Sequence, residues 1–155
     1  MNKIAITLAI ALLALPAAAQ KSAPSQVFTA AEIQQRLQQL AASAKDKGSS
    51  GATLGDFVSH ALKLSLRSSS GGAEIHQHFD DVMVVTEGSA TLVTGGALMD
   101  PQTGNDGEIK GASIRNGVSQ TIAVGDIVHV PAGTPHQLLI PKGVLFSAFV
   151  VKIKE

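Results

Sequence analysis

The sequence predicts an all-β domain, closed into a barrel or sandwich and preceded by one amphipathic helix. Three observations carry this. The apolar pattern changes from a helical to an alternating period near Phe57, short apolar runs then recur to the end of the chain, and turn signals rich in Gly, Pro, Ser and Asp separate them. Closing a sheet on itself is the usual way to bury so many short strands.

The first residues, "MNKIAITLAIALLALPAAAQ", read as an address and not as structure. Lys3 gives a basic start, Ile4 to Leu15 an apolar stretch, Pro16 a break and Ala17-Ala18-Ala19 a small-residue cleavage site before Gln20. About twelve apolar residues are too few to span a bilayer, which needs about 20. A secretory signal over 1–19 would leave about 136 of the 155 residues, enough for one domain in the secreted or periplasmic space. No membrane contact is expected once the signal is removed.

After a Ser/Pro linker (Lys21 to Gln26), "FTAAEIQQRLQQLAASAKDKG" predicts a helix. Thr29 and Glu32 are spaced as a capping box, and Phe28 and Ile33 as a hydrophobic staple. Ile33, Leu37, Leu40 and Ala44 fall on one face, and Gly48 offers a stop. That face is expected to cover a sheet.

From Phe57 the alternation begins. "HALKLSLRS" puts His60, Leu62, Leu64 and Leu66 on one side and Lys63, Ser65 and Arg67 on the other. Apolar runs follow at Val82–Val85, Ala90–Val93, Thr121–Val124, Ile127–Val130, Gln137–Ile140 and Leu145–Ile153. "EGS", "GG", "VGD", "PAGTP" and "PKG" turn the chain between them, and "MDPQTGNDGEIKG" reads as a hairpin or loop. The expected organisation is a signal over 1–19, linker and helix over 20–50, and a β-barrel over 51–155.

Composition narrows the function. With no cysteine, disulfides and thiolate metal sites are excluded. Twelve basic and twelve acidic residues leave a net charge of zero with no basic stripe, so nucleic-acid binding lacks its electrostatic footprint. Aromatics make up 3% with no Trp or Tyr, which removes most stacking platforms for sugars and bases.

The chemistry sits in "AEIHQHFDDVMVVTEG". If the strand runs through it, Glu74, His76 and His78 share one face, and two imidazoles on one face can reach a single cation. Asp81 is the nearest carboxylate able to complete the set, with Asp80 a rival; either is also an ordinary turn former. A second stretch, "GDIVHVPAGTPHQLLI", sets His136 at the start of a strand behind the rigid turn Pro131-Ala132-Gly133. Glu74 has the option of an outer-shell partner, a general base or a solvated strand end. His60 reads as a core or rim histidine. His129 is left on either face of its strand, and Ser68 to Gly72 is a loop.

These two stretches resemble the paired motifs of the cupin superfamily. One has the form H-x-H, three or four residues, Glu, six residues, Gly. The other is Gly, five residues, Pro-x-Gly, two residues, His, three residues, Asn. The second fits at Gly125, Pro131, Gly133 and His136, with Ile140 where Asn is frequent. The first fits at His76 and His78, with six residues between Asp81 and Gly88; Asp81 replaces Glu, and only Phe79 and Asp80 separate it from His78. The match covers about Ser65 to Ile153.

The resemblance implies a single jelly-roll barrel and a metal site of His76, His78, Asp81 and His136, holding one divalent transition ion: Fe, Mn, Ni, Cu or Zn. It implies metal binding more firmly than a reaction, because one fold hosts many chemistries. A metal-dependent enzyme acting on a small molecule (oxygenase, isomerase or lyase) and a non-catalytic small-molecule binding or sensor module both stay open. A structural, secreted assembly role is a third option. Barrels of this family often pair, which leaves a homodimer open.

Overall fold

The helix forms between the caps the sequence supplies. A computed structural model describes residues 24–155, so the signal expected over 1–19 lies outside the described residues. Helix α1 spans Ala30–Lys47. Glu32 N–H donates to Thr29 Oγ1 at 3.3 Å, and Thr29 N–H donates to the Glu32 carboxylate at 2.8 Å, which completes the capping box. Gly48, at φ 84°, ends the helix in the left-handed region that a glycine enters without strain.

Thirteen strands follow: β1 Ser49–Asp56, β2 His60–Arg67, β3 Ala73–His76, β4 Phe79–Glu87, β5 Ser89–Thr94, β6 Ala97–Met99, β7 Gln102–Thr103, β8 Glu108–Gly111, β9 Ser113–Arg115, β10 Val118–Ala123, β11 Ile127–Val130, β12 His136–Leu139 and β13 Phe146–Lys154. One sheet has the order β1-β2-β13-β4-β11 and the other β10-β5-β12-β3-β8-β7; β6 and β9 pair separately. Neighbours within each pair run antiparallel, and the two large sheets close over one core as a jelly roll.

β1 lies before the point where alternation becomes visible. Its sequence, SSGATLGD, has little intrinsic strand preference. It is held as an edge by pairing along β2, from Ser49 opposite Arg67 to Asp56 opposite Ala61. The stretch read as a hairpin or loop contains β7 and β8, and β8 pairs with β3.

The alternating pattern sets which side chains enter the barrel. Met83 and Val85 of β4, Val128 and Val130 of β11, Leu138 of β12, and Phe146, Ala148 and Val150 of β13 are buried in one cluster. On β2 the sequence leaves open which side turns inward. Lys63, Ser65 and Arg67 stand opposite Val150, Ala148 and Phe146, so the polar side of β2 faces the interior. The buried Leu64 and Leu66 belong to the outer side, where α1 packs and where Ile33 and Leu37 line a groove with Leu66. The helix therefore covers the outer face of a sheet, and β2 is free to present charge to the cavity.

Candidate metal centre

Three imidazole and carboxylate donors come from one sheet and a fourth from the other. Glu74 and His76 alternate on β3, and His136 opens β12 directly opposite Glu74. Asp81 lies on the inward side of β4 with Met83 and Val85, and is 6% exposed. His136 is 4% exposed and begins a face continued by the buried Leu138 and Ile140, as the alternation predicts.

The four polar ends form a ring. His136 Nε2 is 3.5 Å from Glu74 Oε1, and His76 Nε2 is 3.5 Å from Asp81 Oδ2. The remaining sides, His76 to Glu74 and His136 to Asp81, are 3.9 and 4.0 Å. The His76 and His136 rings lie 5.2 Å apart, centre to centre. Two ligands at about 2.1 Å from one ion lie roughly 3.0 to 3.4 Å apart at octahedral or tetrahedral angles. The sides of the ring are wider than that by about half an ångström.

The donor chemistry fits. His136 Nδ1 lies 3.0 Å from the Thr134 carbonyl; donating its proton there turns an Nε2 lone pair toward the ring. This backbone anchor comes from the turn after Pro131, where Thr134 N–H donates to the Pro131 carbonyl. Lys152 Nζ, on β13 opposite Asp81, donates to Asp81 Oδ1 at 2.8 Å and leaves Oδ2 toward His76.

Charge is distributed unevenly. Burial pushes the Glu74 carboxyl up, but the adjacent His136 ring, with His76 and Arg67, outweighs it and holds the group at about 2. Burial also opposes protonation of His136, yet Glu74, the Thr134 carbonyl and Asp81 raise it above its ordinary value. Burial and the Lys152 ammonium hold His76 below the ordinary range, against the pull of Asp81 and Glu74. Of the two imidazoles, His136 beside Glu74 is the one whose surroundings favour a proton.

Of the residues expected to gather, the structure brings together His76, Asp81 and His136, and it does not bring His78. β3 stops at His76. Gln77 and His78 form a turn, with Gln77 N–H donating to the Gly107 carbonyl and Glu155 N–H to the His78 carbonyl. The His78 ring is exposed and lies against Gly107, where a Cβ would come within 2.8 Å of it. Once the strand ends, the alternation that would align His78 with His76 ends too.

Glu74 takes the vacated place in the motif. Placed on Glu74 and His76, the first motif has four residues before Asp81 and six more before Gly88, the spacing the resemblance requires. The short gap after His78 was the signal that the register was two residues late. Asp80 faces away from the ring, accepting from Ala132 N–H at 2.7 Å and lying 3.1 Å from His129 Nε2. His129 is thus on the outer side of β11, its side chain 55% exposed. His60 sits at the rim, stacked on Phe57 and bonded to Ser59.

No family description and no curated protein matches this sequence. Solved structures do match its fold. A double-stranded β-helix protein from Klebsiella pneumoniae superposes with a TM-score of 0.59 at 14% identity, over 84% of this chain and 91% of the other. A cupin domain from Schizosaccharomyces pombe superposes with a TM-score of 0.53 at 8% identity, over 69% of this chain and 61% of the other. The chain has the cupin fold. A third cupin-like match is the polyketide cyclase RemF of Streptomyces resistomycificus, with a TM-score of 0.51 and 19% identity over 70% of this chain and 67% of that enzyme. This chain spans less than two thirds of the fission-yeast chain. Within this cupin barrel, Glu74, His76 and His136 form a group able to hold a metal ion, their donor atoms all within 4.8 Å of one another.

Proposed function

We propose that this chain is an exported, metal-dependent cupin enzyme acting on a small molecule, with the ion held by Glu74, His76, Asp81 and His136. The observation that carries the reading is the closed ring of donors from both sheets, with sides of 3.5 to 4.0 Å. Two imidazoles and two carboxylates suit Fe, Mn, Ni, Cu or Zn. A bound ion supplies Lewis-acid or redox activation of whatever occupies its open positions.

The chain's own residues supply the rest. The Thr134 carbonyl fixes the His136 ring, Lys152 orients Asp81, and Met83, Leu138 and Val150 give the adjoining cavity an apolar wall. That cavity, about 280 Å³, suits a small ligand. A cupin-fold neighbour being a polyketide cyclase supports an enzymatic reading. Export rests on the signal pattern of residues 1–19.

The 2.8 Å ion pair between Lys152 and Asp81 favours a second reading, a small-molecule binding module that needs no ion. Elemental analysis of protein purified untagged from its own compartment separates the two, followed by turnover assays before and after chelation. One transition ion per chain, with chelator-sensitive turnover restored by that ion, supports the enzyme. Metal-free protein that binds its ligand unchanged in chelator supports the module.

A further inference from the structure

The inward side of β2 carries two cations that the metal reading does not use. Lys63, Ser65 and Arg67 follow one another on that side and line the same cavity as Glu74, His76 and His136. The other charges around the cavity have partners: Asp81 has Lys152, Glu74 has His136, and Glu108 has Lys110 at 3.5 Å. Lys63 and Arg67 form no ion pair among the described residues. Arg67 Nε is buried and has no hydrogen-bond partner.

A buried guanidinium N–H without an acceptor is costly, and such a group in a folded protein calls for a partner or a role. The barrel had an alternative. The other side of β2 offers leucines, and facing those inward would have filled the interior with apolar surface. Turning ammonium, hydroxyl and guanidinium inward instead creates a row of donors beside the donor ring. We propose that Lys63 and Arg67 form an anion subsite that seats the carboxylate of a small organic acid next to Glu74, His76 and His136. The planar guanidinium fork matches a carboxylate, and Met83, Leu138 and Val150 accommodate a short carbon skeleton. A volume of about 280 Å³ suits a small acid.

This inference rests on the proposed metal-centre cavity being the working site, but its test does not need the ion. Chelator-treated protein is titrated calorimetrically with malonate, with its neutral diamide and with inorganic phosphate. Binding of malonate, with the diamide silent and phosphate weaker, is expected. Arg67→Gln should weaken malonate by about tenfold or more, the loss of a charge-assisted hydrogen bond. Arg67→Lys, which keeps the charge and loses the fork, should fall between. Lys63→Gln should also weaken it. Both glutamine variants should retain the wild-type metal content and circular dichroism.

Equal binding of the diamide, tighter binding of phosphate, no malonate binding, or unchanged affinity in a folded Arg67→Gln variant would each overturn the subsite. Where Arg67→Gln fails to fold, the Lys63→Gln and Arg67→Lys affinities decide. Failure of metal uptake with intact malonate binding would strike the proposed metal centre and leave this subsite standing.

Discussion

Glu74 and His136 stand opposite each other on adjacent antiparallel strands, with Oε1 and Nε2 3.5 Å apart in the lining of the barrel cavity. The pairing joins the first motif to the second through a single sheet. It also favours a proton on His136 over His76, because the carboxylate raises the imidazole and the imidazole lowers the carboxyl.

A pH dependence follows from that pair. His136 is raised above 6.5, so its contribution to metal-free stability is complete below pH 6.5 and is lost as pH rises through its folded-state value. His76, held below 6.5, is neutral in both folded and unfolded chains above that pH and adds little slope there. Glu74, at about 2, contributes fully above pH 4.5 and loses its share only as pH falls toward 2. Metal-free protein is therefore expected to lose stability as pH rises above 6.5, while metal uptake strengthens as the His136 proton becomes easier to displace. Urea denaturation across that range checks it: the slope should be present in the wild type and absent in His136→Gln.

Lys152 neutralises a carboxylate that has little access to water. Replacing it with Met keeps the stem near Phe79, over whose ring Nζ lies at 5.7 Å, but leaves Asp81 buried without its cation. The expected cost in chelator is about 3 kcal/mol, the scale for breaking a buried pair by removing one partner. A bound divalent ion should return much of it. Paired urea curves with and without metal measure both numbers; equal destabilisation under the two conditions would separate Asp81 from the ion.

The two neighbouring aspartates should behave differently. Asp81→Ala is expected to weaken metal binding strongly, since it removes the one donor from the second sheet. Asp80→Ala removes only the bonds to Ala132 and His129 on the outer side and should leave metal content unchanged with a small loss of stability. Competitive titration against a metal-binding dye ranks the two variants.

Much of this was legible in the chain. The capping box at Thr29 and Glu32, the stop at Gly48, and the inward rows Asp81-Met83-Val85 and His136-Leu138-Ile140 are local patterns, and the structure keeps them. What was not legible depends on where elements end and what covers them. His78 leaves the site because β3 stops two residues earlier, and no periodicity announces the end of a four-residue strand. The polar side of β2 faces inward because α1 covers the leucines, a choice made by tertiary packing. β1 exists because β2 offers it an edge.

The most direct measurement is the metal content of Glu74→Ala and His78→Ala, purified side by side with the wild type and loaded with the ion the wild type retains. One ion per chain is expected in the wild type and in His78→Ala, and a stoichiometry near zero in Glu74→Ala. Full occupancy in Glu74→Ala together with loss in His78→Ala would contradict the ring of Glu74, His76, Asp81 and His136.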